Sequence, residues 1–302
     1  MDLIFKIIQN RNFILISALV FAFLLPQGAG FLSGYTLYIL AAVMVFSLTG
    51  VKISLLKDYK ATLKISAESL FLNFIIQGIL LLGISYFIFD KTTFNGFVVL
   101  AATPPGVAII PFTYTFKGNL DFSFRGILGT YLLSIIISPA IIYLFSEGVV
   151  LNPEVIIGVI IKIIVIPLLL SRIFLLKKIY PVTEKIRGRV IDWGFALIIY
   201  TAIAVNRDLI LTDYTVVLKS AAIIFLSIFG AGIIYLFIRR KKQDKKLTVS
   251  KNLMLTVKSS GFAIAVTLIL FEEKSAVPAA VMSIFILLWL VTLDIFYSKK
   301  AS

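Results

Sequence analysis

The stretch "LTVKSSGFAIAVTLILF", Leu255 to Phe271, lies 155 positions after "LAATPPGVAIIPFTYTF", Leu100 to Phe116. Laid over each other they share Leu100/Leu255, Gly106/Gly261, Ala108/Ala263, Ile109/Ile264 and Phe116/Phe271. Five identities among seventeen apolar-rich positions are weak in isolation, but both stretches also interrupt a helix at the same place. Pro104 and Pro105 each lack a backbone donor, and Gly106 follows; a second break is open at Pro111. In the other stretch Ser259, Ser260 and Gly261 stand there, two hydroxyls that can bond freed carbonyls beside a permissive glycine. Unwound backbone at membrane depth is tolerated only where it is packed in protein or lines a cavity. Two such breaks in corresponding segments point to a substrate site near the bilayer midplane. The candidate residues there are Thr103, Pro104, Pro105, Gly106, Thr113, Ser259, Ser260 and Gly261.

The surroundings say which solvent the chain meets. Of 302 residues, 60% are hydrophobic, and the mean hydropathy is +1.05. A hydrocarbon core takes roughly 20 residues of helix, and ten segments are predicted: Phe13 to Pro26, Tyr35 to Val51, Ile65 to Phe89, Phe94 to Phe116, Phe122 to Phe145, Glu154 to Leu175, Val190 to Val205, Thr215 to Ile238, Leu253 to Phe271 and Ala276 to Tyr297. The first and seventh are short, and the first reads as a retained helix rather than a signal peptide. Lys and Arg collect in alternate connections: Lys6 and Arg11; Lys52, Lys57, Lys60 and Lys64; Lys117 and Arg125; Arg172 to Arg189; "RRKKQDKK"; Lys299 and Lys300. The intervening connections hold Lys91, Arg207 and Lys274 against Asp90, Glu147, Asp208, Asp213, Glu272 and Glu273. Positive charge stays inside, so the chain is expected in the cytoplasmic (inner) membrane with both termini cytoplasmic. Ten segments divide into five plus five, residues 1–150 and 151–302, and an odd-numbered repeat must be inverted in the bilayer. The expected fold class is an all-α polytopic membrane protein with a 5+5 inverted repeat.

A net charge of +14 in alternate loops follows from topology, so no nucleic-acid partner is expected. The chain has no cysteine and no histidine. That removes disulfides, thiolate and imidazole catalysis and the commonest zinc and haem ligands. No paired acid and base lies within the segments, no Gly-rich nucleotide loop is present and no cofactor is indicated, so an enzyme and an ATP-driven pump are both disfavoured. A sensor is expected to carry a longer soluble segment than any loop here.

The string "TPPGVAIIPFTYTFKGNLDFSFRGILGTYLLSIIISPAI", Thr103 to Ile141, resembles the fourth and fifth helices of the bile acid:sodium symporter family. The matching residues are Pro104, Gly106, Thr113, Tyr114, Lys117, Gly118, Asn119 and Pro139, and "SSGFA" is similar to the family's Asn-Ser-Gly-Leu-Ala in the ninth helix. The resemblance implies a panel domain of helices one, two, six and seven and a core domain of three, four, five, eight, nine and ten. Helices four and nine would cross at their unwound centres, and substrate would move between the domains by alternating access. It also exposes departures. The family's Ser-Asn sodium ligands in helix four fall on Ile109 and Ile110, its Glu in helix nine on Met254 and its helix-nine Gln on Lys258. Of the ion ligands only Ser123 and an amide in helix three, Asn73 or Gln77, remain. Isoleucine offers a sodium ion no oxygen, so neither cage is complete.

Lys258 would thus put an ammonium about where relatives hold sodium. With the ninth helix starting near Ser250, it lies about 12 Å along the axis, too deep to snorkel. An intramembrane charge is costly and faces protein or water. It is either a coupling group that carries a proton, a fixed charge that attracts an anion, or a plug on the carbonyls freed at Thr103 to Gly106. Asp192 and Asp294 are read as partners of loop cations, Arg189 for Asp192. Arg125 reads as an interfacial anchor, and Lys162 is a further cationic candidate. The reading is a secondary transporter of small organic anions, independent of sodium and either proton-coupled or uncoupled. The alternatives are a sodium-coupled symporter of carboxylates and an auxin-efflux-carrier-like exporter; arsenite exporters are disfavoured by the lack of cysteine.

Overall fold

The computed structural model describes residues 11–49, 58–106, 108–147, 154, 158, 161–205, 207–212, 214–239 and 244–298. Every regular element among them is a helix, with one isolated bridge. Helix α1 (Arg11–Leu24) bends by 94° across the Pro26–Gly28 turn into α2 (Ala29–Ser33), and α3 (Thr36–Leu48) follows. Helix α4 (Tyr59–Ile88) contains a π turn at Phe71–Ile76. The fourth predicted segment is two helices, α5 (Lys91–Ala102) and α6 (Ile109–Thr115), and α7 (Leu120–Phe145) comes next. A π turn at Ile161–Val165 leads into α8 (Ile166–Ile173), then α9 (Tyr180–Val205) and the short α10 (Arg207–Thr212). Helix α11 (Tyr214–Arg239) has its own π turn at Leu226–Gly230. The ninth segment is again two helices, α12 (Lys245–Thr256) and α13 (Ser260–Leu270), before α14 (Val277–Ser298).

Among the described residues, five helical runs are long and apolar enough to cross a bilayer: α4, α7, α9, α11 and Glu273–Leu293. The bent pair α1 and α2 makes a sixth if taken as one span, and α3 and α13 are apolar but shorter. The chain is therefore an all-helical, multi-pass membrane protein.

Four starts are set by side chains that accept the first free N–H groups of a helix. Asp58 bonds the Ala61 amide before α4, Asp90 the Thr93 amide before α5, Asn119 the Phe122 amide before α7 and Asp244 the Lys246 amide before α12. These caps move the third segment's start from Ile65 to Tyr59 and the ninth's from Leu253 to Lys245. The seventh segment is not short. It begins at Tyr180 and runs for 26 residues, because Lys185, Arg187 and Arg189 are good helix formers that hydropathy alone reads as loop. No break occurs at Pro111, which lies in the first turn of α6, where a missing N–H costs nothing. Residues 50–57, 148–153 and 240–243, which include parts of the predicted basic loops, lie outside the described residues, as does most of the predicted start of the sixth segment.

Packing gathers α1, α3, α8 and α9 together, while α4, α5, α7, α11, α12 and α14 form the larger cluster. Helices α4 and α7 meet with glycines of one against serines of the other: a Cβ at Gly129 would stand 1.7 Å from the Ser66 hydroxyl, and one at Gly126 2.3 Å from that of Ser69. Such small-residue seams hold helices where lipid supplies no hydrophobic drive. Some element positions recur. Helices α4 and α11 begin at Tyr59 and Tyr214, and their π turns at Phe71 and Leu226, a separation of 155 in both cases.

Candidate functional site

The two broken segments meet at their breaks. The backbone is extended at Thr103 after α5 and at Val257 after α12, and Pro105 and Lys258 form an antiparallel bridge. Gly106 donates its N–H to the Val257 carbonyl at 2.9 Å, and Ser259 donates to the Pro104 carbonyl at 3.0 Å. Proline at 104 and 105 suits this strand because neither N–H is needed by the pairing. Gly106 is required by close approach, since a Cβ there would stand 3.0 Å from the Lys258 carbonyl oxygen.

Breaking a helix orphans its last carbonyls, and here side chains from other segments receive them. On α5, Ser138 of α7 donates to the Ala102 carbonyl at 2.6 Å. The Lys258 ammonium donates to the Ala101 carbonyl at 3.1 Å and to the Thr103 carbonyl at 2.9 Å. On α12, Asn73 donates to the Met254 carbonyl at 3.2 Å and Gln77 to that of Thr256 at 3.3 Å. The Asn73 amide oxygen accepts the third Lys258 hydrogen bond at 3.0 Å. The Phe74 ring lies 4.9 Å from the Lys258 nitrogen, a cation–π distance.

Lys258 is 2% exposed, and it lies about 20 Å into the ninth segment at 1.5 Å per residue from Lys245. Its partners are neutral, so charge balance comes from elsewhere. Helices α5 and α12 both end at the crossover, and a helix C-terminus carries about half a negative charge. Two of them amount to roughly one. An ammonium has three protons and no lone pair, and three acceptors surround it; a neutral amine has two protons and would leave one acceptor without a donor. These three acceptors surround the Lys258 nitrogen at hydrogen-bond distance.

The structure joins some of the predicted residues and separates others. Thr103, Pro104, Pro105, Gly106, Lys258, Ser259, Ser260 and Gly261 form the crossover, with Asn73 and Gln77 against its flank. The Thr113 hydroxyl pairs with that of Ser123 at 2.8 Å, and neither is among the three acceptors of the Lys258 nitrogen. Ile109 and Met254, which the resemblance sets against the family's sodium ligands, are completely buried. Arg125 pairs with Asp121 at 2.9 Å and donates to Thr62, and Lys162 is exposed. The side chain of Asp294 lies outside the described residues.

Three contributors were missed from sequence. Trp289 donates its indole N–H to Thr256 at 2.9 Å, and Asn252 donates to the Gly232 carbonyl at 2.9 Å, which ties α12 to α14 and α11. Ser138 is the third. A tryptophan in an apolar run needs a partner for its N–H, and that was the available signal.

A cavity of about 70 Å³ opens beside the crossover, lined by Gly106, Lys258, Ser259, Ser260 and Gly261. Leu15 of α1 and Phe195 and Ile199 of α9 form its far wall, with Phe112, Ser283 and Ile286 around it. Its size suits a few waters, against the ~300–1,000 Å³ of developed ligand pockets. The wall is thus apolar except at the crossover residues and Ser283.

A pair of crossed broken helices beside a cavity is a transporter's geometry. A family model for the Sodium Bile acid symporter family matches residues 37–213, more than half of the chain. The chain belongs to the sodium bile acid symporter family. No curated protein matches the chain significantly. Members of this family are membrane transporters rather than enzymes. The matched residues take in α5, α6 and α7 and stop before Lys258.

Proposed function

We propose that this member of the sodium bile acid symporter family carries small organic anions without sodium, the Lys258 ammonium standing in for the ion. The observation that carries this is the cage around Lys258: two freed carbonyls, one amide oxygen and an aromatic face. All four contributions come from the same packed cluster, so the charge travels with it and need not be reloaded in each cycle. Isoleucine and methionine at the sodium-ligand positions point the same way. A tethered cation exchanges with neither bath, and the carrier is accordingly uncoupled from sodium and from protons.

The rest of the architecture is read with the same residues. Recurrence of helix and π-turn starts at a separation of 155 supports ten spans in a 5+5 inverted repeat, residues 1–150 and 151–302. The cluster of α1, α3, α8 and α9 is the panel domain, and the larger cluster is the core. Substrate lies in the cavity between them, which widens as the domains part. Alternate basic loops support an inner-membrane location with both termini cytoplasmic.

The test is flux in proteoliposomes of a panel of small carboxylates and sulfonates under an imposed sodium gradient, then under a pH gradient. Flux is expected to ignore both. Flux that follows sodium would return the chain to ordinary sodium coupling, and flux that follows the pH gradient would make Lys258 a proton carrier.

A further inference from the structure

The two half-helices that leave the crossover, α6 and α13, occupy places 155 positions apart in the chain, yet they are covered unequally. Ala108, Ile110 and Phe112 are partly exposed, whereas their counterparts Ala263, Ala265 and Thr267 are completely buried. The cavity follows the same inequality. It is lined by Ala108 and Phe112 along α6, but by α13 only at its first residues, Ser260 and Gly261. Helix α13 is covered by α3 and α9 of the smaller cluster as well as by α5 and α14, while α6 packs on α7 and α12. Helix α6 leads to Lys117 and α13 to Glu272 and Glu273. The cavity thus extends toward the basic side of the protein and ends against α13 on the other.

That end has one tight point. Phe195 of α9 lies on Gly261: a Cβ there would stand 3.1 Å from two carbons of the ring and 3.6 Å from Ile198. Phe195 also lines the cavity, so its ring stands where the open space meets α13. We propose that Phe195 is the gate on the outer path of this carrier: its ring seals the cavity against α13, glycine at 261 lets the seal close, and the face of Ala263, Ala265 and Thr267 lines the path when it parts. This rests on the reading of two domains that move past one another around the cavity, and it adds the residue that holds one side shut. The seal forms only while the cavity is closed on the α13 side, so weakening it shifts the population toward the opposite state. Gly261→Ala wedges the contact with a methyl group, and Phe195→Ala removes the ring. The two act oppositely on volume and alike on the gate.

The chain has no native cysteine, so Ala263→Cys and Ala108→Cys, at equivalent positions, report the two paths by their rates of reaction with an impermeant maleimide. The reagent is added to intact cells for the first and to inside-out vesicles for the second. Flux of small carboxylates in proteoliposomes and thermal unfolding are measured on the same variants. In the otherwise native chain Ala108→Cys is expected to react and Ala263→Cys to resist. Gly261→Ala and Phe195→Ala are each expected to raise the rate at Ala263→Cys about tenfold and to lower the rate at Ala108→Cys, as a shift between two states requires. An unchanged rate at Ala263→Cys in either variant overturns the inference; so does a rise at both cysteines with a lower unfolding temperature, which marks loosened packing. Should Gly261→Ala not fold, Phe195→Ala decides alone. Labelling as expected with no anion flux in the wild type overturns the cargo reading and keeps the gate, and flux with unchanged labelling does the reverse.

Discussion

A lysine ammonium carries three protons, and the packing around Lys258 provides three oxygens. Lys258→Met leaves the Ala101 and Thr103 carbonyls and the Asn73 oxygen without that donor, at about 1–3 kcal/mol for each buried orphan. Partial rescue by other groups in a membrane protein lowers the total, so a loss of about 2–5 kcal/mol is expected, read as a lower unfolding midpoint in detergent; an unchanged midpoint would show that the cage contributes nothing to stability. Asp90 illustrates a weaker charge. Burial raises its carboxyl, but hydrogen bonds from Thr93 and Lys274 and the Lys274 charge hold it below the usual value. A lowered value in the folded state means stability present above the unfolded pKa and lost as pH falls through the folded one. Asp90→Ala is thus expected to cost about 1 kcal/mol at pH 7, mostly through the cap, with the ionic part, below ~1 kcal/mol for so exposed a pair, fading in acid. Equal destabilisation at pH 7 and at about pH 2, well below the free carboxylate value, would contradict the charge contribution.

At this scale Lys258 and Asn73 were legible because a charge and an amide are out of place in an apolar run. Ser138 was not. A hydroxyl in such a helix commonly bonds its own preceding turn, as Thr201 and Thr267 do to Leu197 and Ala263. Which hydroxyls reach across is decided by packing alone.

Elements are held by close approach and by caps. The seam of Gly126 and Gly129 against Ser69 and Ser66 leaves no room for a methyl group. Gly129→Ala is expected to push α4 and α7 apart at about 1–3 kcal/mol, the usual penalty of overpacking, while Gly83→Ala, where nothing lies within 4 Å, changes little. Equal behaviour of the two in thermal unfolding would refute the seam. The turn between α6 and α7 is similarly specified. Lys117 takes a positive φ of 55°, and a Cβ at Gly118 would stand 2.9 Å from both Ser250 Oγ and Thr113 Cγ2. Asn119 then caps α7 and receives Ser250 on its carbonyl at 2.9 Å. This explains why Lys-Gly-Asn was readable as a motif. The π turns of α4 and α11 had no such signature, since inserting one residue into a helix changes its hydrogen bonds and not its composition.

For the whole molecule the alternation of basic loops carried the proposed topology, and the absence of native cysteine makes it simple to check. In intact cells Lys274→Cys is expected to react with an impermeant maleimide and Lys178→Cys to react only after permeabilisation. Labelling of both from outside would break the alternation. The segment ends were less legible than the segments, because charged residues such as Lys185 and Lys246 extend helices into the head-group region.

The central claim concerns charge: if Lys258 stays protonated and attached, each cycle returns it and the net movement is one anion. Flux must then respond to membrane voltage, at about 2.3 kcal/mol per charge for 100 mV, which is roughly a fiftyfold accumulation. The most direct measurement is anion uptake into sodium-free, pH-balanced proteoliposomes under a potassium diffusion potential, for wild type and Lys258→Gln. Uptake in wild type is expected to rise when the interior is positive and fall when it is negative, and to be lost in Lys258→Gln. Voltage-insensitive uptake, or uptake that appears only when sodium is added, would contradict a fixed ammonium in place of the ion.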